Sequence, residues 1–274
     1  MKPLLKARIS ADYPNKPGVL SDVEFEIGEG EIVGLVGESG SGKSTIALAL
    51  LRLLDHKGAR ISGEVEFAGR DLLRLPEREM RKVRGREIAL VLQSPLSSLN
   101  PSLKIGTQFS EAWRAHNGAA KQWRERALEV FDLVSLPPDQ NFLDRYPRQL
   151  SVGQAQRVLI ALAILHKPRL VIADEPTSAL DAVTQSEILA LFQRLNRELG
   201  MAMLFISHDL LAVASLCTRL AILQQGRVAE CGPTAQVFRD PRTDDTRALL
   251  NAVLQHSSVA QDLLAADTPA LIRR

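Results

Sequence analysis

One short loop limits the possible folds of this chain more than any other feature. Residues 37–44 match the pattern G-x-x-x-x-G-K-[ST], between a predicted strand (residues 31–36) and a predicted helix (residues 44–54). The glycines let successive backbone N–H groups point at a polyphosphate, at the positive end of that helix. The loop therefore predicts a nucleotide site in an α/β fold with a P-loop NTPase sheet core. The alternative is a Gly-rich turn without a ligand.

Two polar residues of this loop have predicted roles in binding the phosphates and Mg²⁺. Lys43 neutralises the β- and γ-phosphates, and the Ser44 hydroxyl is a ligand for Mg²⁺. The predicted nucleotide-binding residues of the loop are Gly37, Glu38, Ser39, Gly40, Ser41, Gly42, Lys43, Ser44 and Thr45.

A second site, which is acidic, narrows the reactions that a nucleotide-binding chain of this kind could catalyse. Residues 170–173 form a short apolar run that ends in Asp174 and Glu175. A carboxylate at the end of a buried strand suits Mg²⁺, which Asp174 would hold through a water molecule, and Glu175 would polarise a water molecule toward the γ-phosphate. The alternative is a solvated acidic turn before Pro176.

Composition excludes several classes of protein. The 274 residues are 45% hydrophobic and 24% charged, which excludes disorder, collagen and coiled coil. The longest apolar run has eight residues (158–165), too short to span a membrane. A net charge of +2 gives no argument for a nucleic-acid partner. The only cysteines, Cys217 and Cys231, lack a metal-ligand spacing, so we expect a reduced, cytosolic compartment.

Strand patterns occupy both ends of the chain and are missing from its middle. The predicted strands are residues 19–27, 31–36, 61–67, 87–92, 170–173, 202–206 and 220–223, and helices are predicted at 44–54, 183–198 and 210–216. Between them, only helices are predicted: 106–116, 119–135 and 153–166. We therefore predict a domain of residues 1–254, made of a sheet core (1–92 and 167–232), an inserted helical subdomain (93–166) and C-terminal helices (233–254), followed by a tail (255–274).

Five further segments follow in a fixed order. Gln93 comes after a predicted strand, residues 150–154 read LSVGQ, residues 178–181 read SALD, His208 follows the next strand, and Tyr13 lies near the N-terminus. In this order and spacing the sequence resembles the ATP-binding subunits of ABC transporters, over roughly residues 4–254. The resemblance implies an ABC-type ATPase that uses ATP and Mg²⁺.

The resemblance also implies a role for each of these segments. Tyr13 would stack on adenine, Gln93 would be the Q-loop glutamine that joins Ser44 and Asp174 around Mg²⁺, and His208 would sense the γ-phosphate. Ser151, Gly153 and Gln154 would belong to the signature that acts on the ATP of a partner subunit, and Asp181 to the D-loop.

Each residue also has a plain structural alternative. A lone glutamine such as Gln93 is commonly an exposed residue at a strand end, and His208 is equally a core or helix-capping histidine. Tyr13 is alternatively a core or edge aromatic residue. Ser151 is alternatively the N-cap of the helix that follows it.

The chain departs from the family pattern at Val152, where glycine is usual. A β-branched residue disfavours a positive φ, so this position must have an ordinary backbone conformation. Ser151 and Gly153 are retained, and we expect a working signature.

Two stretches resemble the oligopeptide, dipeptide and nickel importers: residues 93–101, and residues 239–241 with 246–250. Where these importers usually have His-Pro-Tyr, this chain has Thr243-Asp244-Asp245. The cysteine cluster that some of them carry near the C-terminus is also missing, because no cysteine follows Cys231, so no iron–sulfur cluster is implied. The expected partners are transmembrane permease subunits, a second ATP-binding subunit (the same or a sister chain) and, indirectly, a solute-binding protein. The expected location is peripheral, at the cytoplasmic face of the membrane.

Two other functions compete with transport. One is a soluble ABC-type ATPase in an assembly or scaffold complex, without a membrane partner. The other, a DNA-repair or chromosome ATPase, needs a long coiled-coil or zinc insertion, and the segment between Lys43 and Asp174 is too short for one.

Overall fold

The computed structural model describes residues 2–54, 58–118 and 122–254. The predicted tail, residues 255–274, lies outside the described residues. The described residues up to 75 and from 202 onward form one compact unit, and residues 76–201 form a second. The predicted division into a sheet core and a helical subdomain stays a prediction.

Ten strands are present in the described part of the chain. They are β1 (Leu5–Tyr13), β2 (Lys16–Ile27), β3 (Ile32–Val36), β4 (Arg60–Phe67), β5 (Arg70–Asp71), β6 (Ile88–Val91), β7 (Leu170–Asp174), β8 (Ala202–Ser207), β9 (Arg219–Gln224) and β10 (Arg227–Pro233).

The α-helices of the same residues are mostly short. They are α1 (Lys43–Leu50), α2 (Glu77–Val83), α3 (Pro95–Ser98), α4 (Ile105–Asn117), α5 (Trp123–Leu133), α6 (Gln140–Leu143), α7 (Val152–Ile164), α8 (Ala182–Leu199), α9 (Leu210–Leu216), α10 (Thr234–Arg239) and α11 (Asp244–Leu254).

The first unit contains two groups of hydrogen-bonded strands. One is an antiparallel sheet with the strand order β2-β1-β4-β5. The other has the order β10-β9-β3-β8, in which β3 pairs in parallel with both β8 and β9. Every residue of β3 and β8 is buried, as expected of parallel strands that are covered on both faces. The loops that follow β3 and β8 therefore leave the sheet from the same edge.

The second unit combines a parallel strand pair, β6 and β7, with a group of helices. Arginine side chains cap the carboxyl ends of two of these helices. The Arg126 side chain donates to the carbonyl groups of Ile164 and Leu165 at the end of α7, and Arg194 donates to that of Leu133 at the end of α5. Such bonds satisfy carbonyl groups that lack a partner within their own helix.

Two histidines lie together in this unit. The rings of His116 and His166 are 4.8 Å apart, and Trp113 stacks on His166 at 5.5 Å. The His166 Nε2 bonds the Ala112 carbonyl oxygen at 3.1 Å, and its Nδ1 lies 3.3 Å from Asn117 Nδ2. Burial is the main cause that lowers the pKa of both histidines, and nearby Arg86 lowers both pKa values further.

These lowered pKa values predict a loss of stability in weak acid. Because each pKa is lower in the folded chain, the contribution of this pair to folding is fully present above the ordinary histidine pKa of about 6.5. It is lost as the pH falls below about 6.5 and through the lower pKa values of the folded chain. We expect the melting temperature to drop between pH 7.5 and pH 5.5, measured by circular dichroism. The double variant His116→Gln, His166→Gln should show a flatter profile over this range. An equally steep profile in that variant would assign the effect to other groups.

Among the residues that the structure describes, none of the helices combines the length and the apolar character that crossing a bilayer requires.

Candidate functional site

The loop after β3 has the geometry of an anion site. Gly40 and Gly42 have φ values of 82° and 110°, a conformation that side chains disfavour. Gly42 is the N-cap of α1 and no side chain caps this helix, whose N-terminus is the positive end of the helix dipole. The Ser41 hydroxyl is buried and, among the described residues, has no hydrogen-bond partner. These observations fit a phosphate group at this loop.

Lys43 holds the same loop in shape. The residue is only 5% exposed, and its ammonium group donates to the carbonyl oxygens of Gly37 at 2.8 Å and Glu38 at 2.9 Å. The positive charge therefore stays beside the loop and does not extend into solvent.

His208 lies at the same edge of the first unit as this loop. In the parallel pair, Val36 of β3 is in register with Ser207 of β8, so Gly37 and His208 are the next residues along two neighbouring strands. His208 is exposed. The following residue, Asp209, is the N-cap of α9 and accepts from the amides of Leu211 and Ala212. The capping alternative therefore belongs to Asp209.

In the second unit, two predicted site residues meet. The Gln93 side chain donates from Nε2 to Glu175 Oε2 at 3.1 Å, although the two residues are 82 positions apart. The register explains the contact, because Val91 of β6 pairs with Ala173 of β7 and each side chain lies two residues further along. The strand-end glutamine thus has a specific partner.

The backbone at Glu175 is unusual. Its φ of 48° is left-handed, which costs energy for a residue with a side chain. Asp174, the last residue of β7, is only 8% exposed, whereas Glu175 is half-buried. The two adjacent carboxylates therefore have different environments. The side chains of Asp174 and Gln93 in this unit, and that of Ser44 in the first, each carry an oxygen atom, the kind of ligand that Mg²⁺ prefers, so each residue type fits this ion.

Ser151 is the N-cap of α7. Its hydroxyl accepts from the Gln154 amide at 3.2 Å, and the Gln154 side chain accepts from the Ser151 amide at 3.2 Å. This capping box uses an acceptor position of the hydroxyl and leaves its O–H as a donor. Ser151 is thus a helix N-cap, as its structural alternative states, and this role is compatible with a contact between its hydroxyl and a phosphate. Val152 is the first residue of the helix, with the ordinary backbone that the sequence predicts.

Asp181 is the N-cap of the neighbouring helix α8. Asp181 Oδ1 accepts from the amides of Val183 and Thr184, at 3.1 and 3.0 Å, and its Oδ2 accepts from the Thr184 hydroxyl. Hydrogen bonds from Thr184 are the main cause that lowers the Asp181 pKa. Ser151, Gly153 and Asp181 line one cavity of about 430 Å³, which we call the signature cavity.

Tyr13 ends β1, where it pairs with Lys16 of β2 across the hairpin, and its ring is half-buried. The position is therefore at a sheet end and outside the core.

Comparison with known proteins decides the family. The model of the ABC transporter family matches residues 20–178. The chain belongs to the ABC transporter family. As an ABC ATPase, it binds and hydrolyses ATP.

The relatives of this ABC ATPase include named importer subunits. It is 43% identical to a putative peptide import ATP-binding protein of Brucella abortus, over 92% of this chain and 77% of that protein. It is 42% identical to the dipeptide transport ATP-binding protein DppD of Escherichia coli K12, over 84% of this chain and 71% of that protein.

Solved ABC structures agree with the fold. A dimeric ATP-binding cassette in a post-hydrolysis state, bound to ADP and phosphate, has a TM-score of 0.72 at 31% identity, covering 84% of this chain and 98% of that one. A subunit of an ABC transporter complex from Clostridium perfringens has a TM-score of 0.75 at 24% identity, covering 97% and 100%, and supports the fold alone.

Sequence reasoning did not single out two features of this ABC ATPase. Leu92 and Leu96 flank Gln93 and are 41% and 44% exposed, unusually high for leucine. Arg157, which lines the signature cavity, joins α7 to two other helices. A leucine after a strand or in a short helix carries no signal of exposure, and an arginine within a helix carries no signal of its partners.

Proposed function

We propose that this chain powers a peptide importer. In this proposal it works as a dimer with a second ATP-binding subunit, bound to permease subunits at the cytoplasmic face of the membrane and served by a solute-binding protein. The observation that carries the proposal is the 43% identity to a peptide import ATP-binding protein over 92% of the chain. The relatives give no support to the soluble scaffold alternative.

In the proposed hydrolysis, each residue that the sequence predicts has a separate role. Lys43 and the amides of its loop bind the phosphates. Mg²⁺, assigned to Ser44, Gln93 and Asp174, neutralises phosphate charge when bound. Glu175 takes a proton from the attacking water, whose oxygen bonds to the γ-phosphorus as the bond to ADP breaks. The bond from Gln93 supports this role, because it fixes the orientation of the carboxylate.

The remaining residues complete the site in the proposal. Tyr13 stacks on adenine, and His208 contacts the γ-phosphate. The O–H of Ser151 and the amide of Gly153 reach the ATP of the partner subunit, with Gln154 holding the turn and Asp181 belonging to the D-loop. The capping box at Ser151 supports this assignment, because it leaves the hydroxyl proton free to donate.

The exposed leucines support a contact with the permease. Leu96 lies in α3, directly after Gln93 and Ser94, within the segment that resembles the peptide and nickel importers. The exposed leucines lie beside Gln93, whose side chain bonds the catalytic carboxylate. Such a surface is suited to contact the permease and to transmit its movement to the catalytic site.

A charged residue at this surface should separate hydrolysis from transport. Leu96→Asp should reduce solute uptake at least about tenfold, because a carboxylate there opposes docking of the chain on the permease. A tenfold reduction corresponds to about 1.4 kcal/mol of lost contact energy. ATP hydrolysis by the purified chain should stay within about twofold of the unchanged protein. The control is Ser98→Asp on the same helix. Normal uptake by the Leu96→Asp protein would remove this surface from the proposal.

An uptake experiment tests the solute class. In cells that lack this chain, uptake of a radiolabelled dipeptide should be lost and uptake of nickel should be unchanged. Re-expression of the chain should restore dipeptide uptake, and the Lys43→Ala variant should not. Loss of nickel uptake with normal dipeptide uptake would replace peptides with nickel as the solute.

A further inference from the structure

Arg157 connects three helices of the second unit. It lies in α7, and its side chain is only 15% exposed. Its Nη1 donates to the Val134 carbonyl oxygen, just after α5, at 2.9 Å, and its Nη2 donates to Glu187 Oε2 of α8 at 2.9 Å. A planar guanidinium that donates in two directions fixes the relative position of the groups it contacts.

Two of these helices carry the signature and the D-loop. The signature cavity lies between the first turns of α7 and α8, and Arg157 and Glu187 both line it. Closer to the helix ends, Gly153 packs against Thr184 so tightly that a Cβ atom there would lie 2.9 Å from Thr184 Cγ2. The spacing of the two helices is therefore set at two levels, by Gly153 against Thr184 and by Arg157 with Glu187.

Arg194 also caps the end of α5, and a comparison with it shows which contact belongs to Arg157 alone. The Arg194 side chain donates to the Leu133 carbonyl oxygen and the Ser135 hydroxyl, at the same end of α5. It does not line the signature cavity. Capping of α5 is thus shared between two arginines, whereas the bond to Glu187 belongs to Arg157.

The bond to Glu187 contributes little to folding. The Glu187 side chain is 57% exposed, and ion pairs with a solvated partner stabilise proteins only slightly. Its geometric effect is larger, because a displacement of about 1 Å in a catalytic group lowers a rate about a hundredfold. A contact of this kind affects rate more than stability.

We propose that Arg157 is a positioning residue for ATP hydrolysis. Together with Glu187, it fixes the first turn of α7 against α8, so that Ser151 and Gly153 face the γ-phosphate held by the partner subunit. This inference rests on the proposed function of the signature. It assigns to Arg157 no contact with ATP.

The test compares Arg157→Gln, Glu187→Ala and the double variant in ATP hydrolysis. Each single variant should lower kcat at least about tenfold, by loss of alignment. Binding of a fluorescent ATP analogue to the monomer should stay within about twofold, because the phosphate loop is unchanged. The double variant should fall no further than Arg157→Gln alone, because both changes break one bridge.

The matched control is Arg194→Gln, which removes a cap from the same helix end and should keep kcat within about twofold. Equal losses of kcat and of melting temperature in Arg157→Gln and Arg194→Gln would overturn the proposal in favour of helix packing. If Arg157→Gln does not fold, Glu187→Ala decides alone, because Glu187 is exposed, and an unchanged kcat in that variant overturns the proposal.

Ser151→Ala separates this inference from the function on which it rests. A lowered kcat in Ser151→Ala with normal kcat in Glu187→Ala would contradict the role of Arg157 and leave the signature assignment intact. Normal kcat in Ser151→Ala would contradict the signature assignment itself.

Discussion

The Lys43→Ala variant should lose at least about a hundredfold in ATP hydrolysis, the scale of one lost electrostatic contact to the reacting group. The substitution removes the ammonium group that is proposed to bind the phosphates. It also removes the bonds from Nζ to the carbonyl oxygens of Gly37 and Glu38, which hold the loop in shape. Both losses act on nucleotide binding, so affinity for ATP should fall together with kcat. Release of phosphate and binding of a fluorescent ATP analogue measure the two effects.

Lys82→Ala is the control for this prediction. Lys82 is an exposed lysine whose ammonium group pairs with Glu79 in α2, so its removal tests the general effect of losing a lysine. That variant should hydrolyse ATP at the normal rate. Normal hydrolysis by Lys43→Ala would mean that the loop after β3 does not bind the reacting phosphates.

The sequence predicts the buried parallel strands best. Short apolar runs with Gly or Pro at their ends agree with β3, β7 and β8 within one or two residues. These strands are covered on both faces, and their continuous apolar pattern follows from that position. The boundaries of α1 are less accurate, because the apolar pattern continues to Leu54 whereas the helix ends at Leu50.

Three strands, β1, β5 and β10, were not predicted, for different reasons. Strand β5 has only two residues, too few for a periodic pattern. In β1, buried Leu5, Ala7 and Ile9 alternate with polar residues, but alanine is a weak strand former, so the period of two is easily missed. Strand β10 contains Gly232 and ends at Pro233, residues that normally argue against a strand. Its position at the edge of the strand order and the irregular register before Glu230 permit them.

For the site, motifs predict which residues matter but not how they are held. Nothing in the sequence indicates that Gln93 donates to Glu175, because that contact arises from the register of β6 with β7. The left-handed backbone of Glu175 is equally invisible, since glycine and asparagine are the usual signals of a positive φ. The capping role of Ser151 is visible in the sequence, because glutamine follows three residues later.

The Glu175→Gln variant should bind ATP and hydrolyse it at least about a hundredfold more slowly, the scale of one lost general base. Glutamine keeps the size of the side chain, and its amide oxygen still accepts from Gln93. It cannot take a proton from water. In the proposed dimer, the substitution also removes one negative charge beside each γ-phosphate. The variant should therefore accumulate as an ATP-bound dimer, measured by size-exclusion chromatography with and without ATP.

A second substitution shows whether the dimer forms through the signature. Adding Ser151→Arg to Glu175→Gln should abolish the dimer, because a bulky side chain replaces the hydroxyl that is proposed to face the ATP of the partner. Ser102→Arg, at an exposed serine outside the signature cavity, should leave the dimer intact. A dimer that survives Ser151→Arg would mean that the two chains associate through another surface. A Glu175→Gln protein that hydrolyses ATP at the normal rate would mean that another group accepts the proton, and the bond from Gln93 would then have a structural role alone.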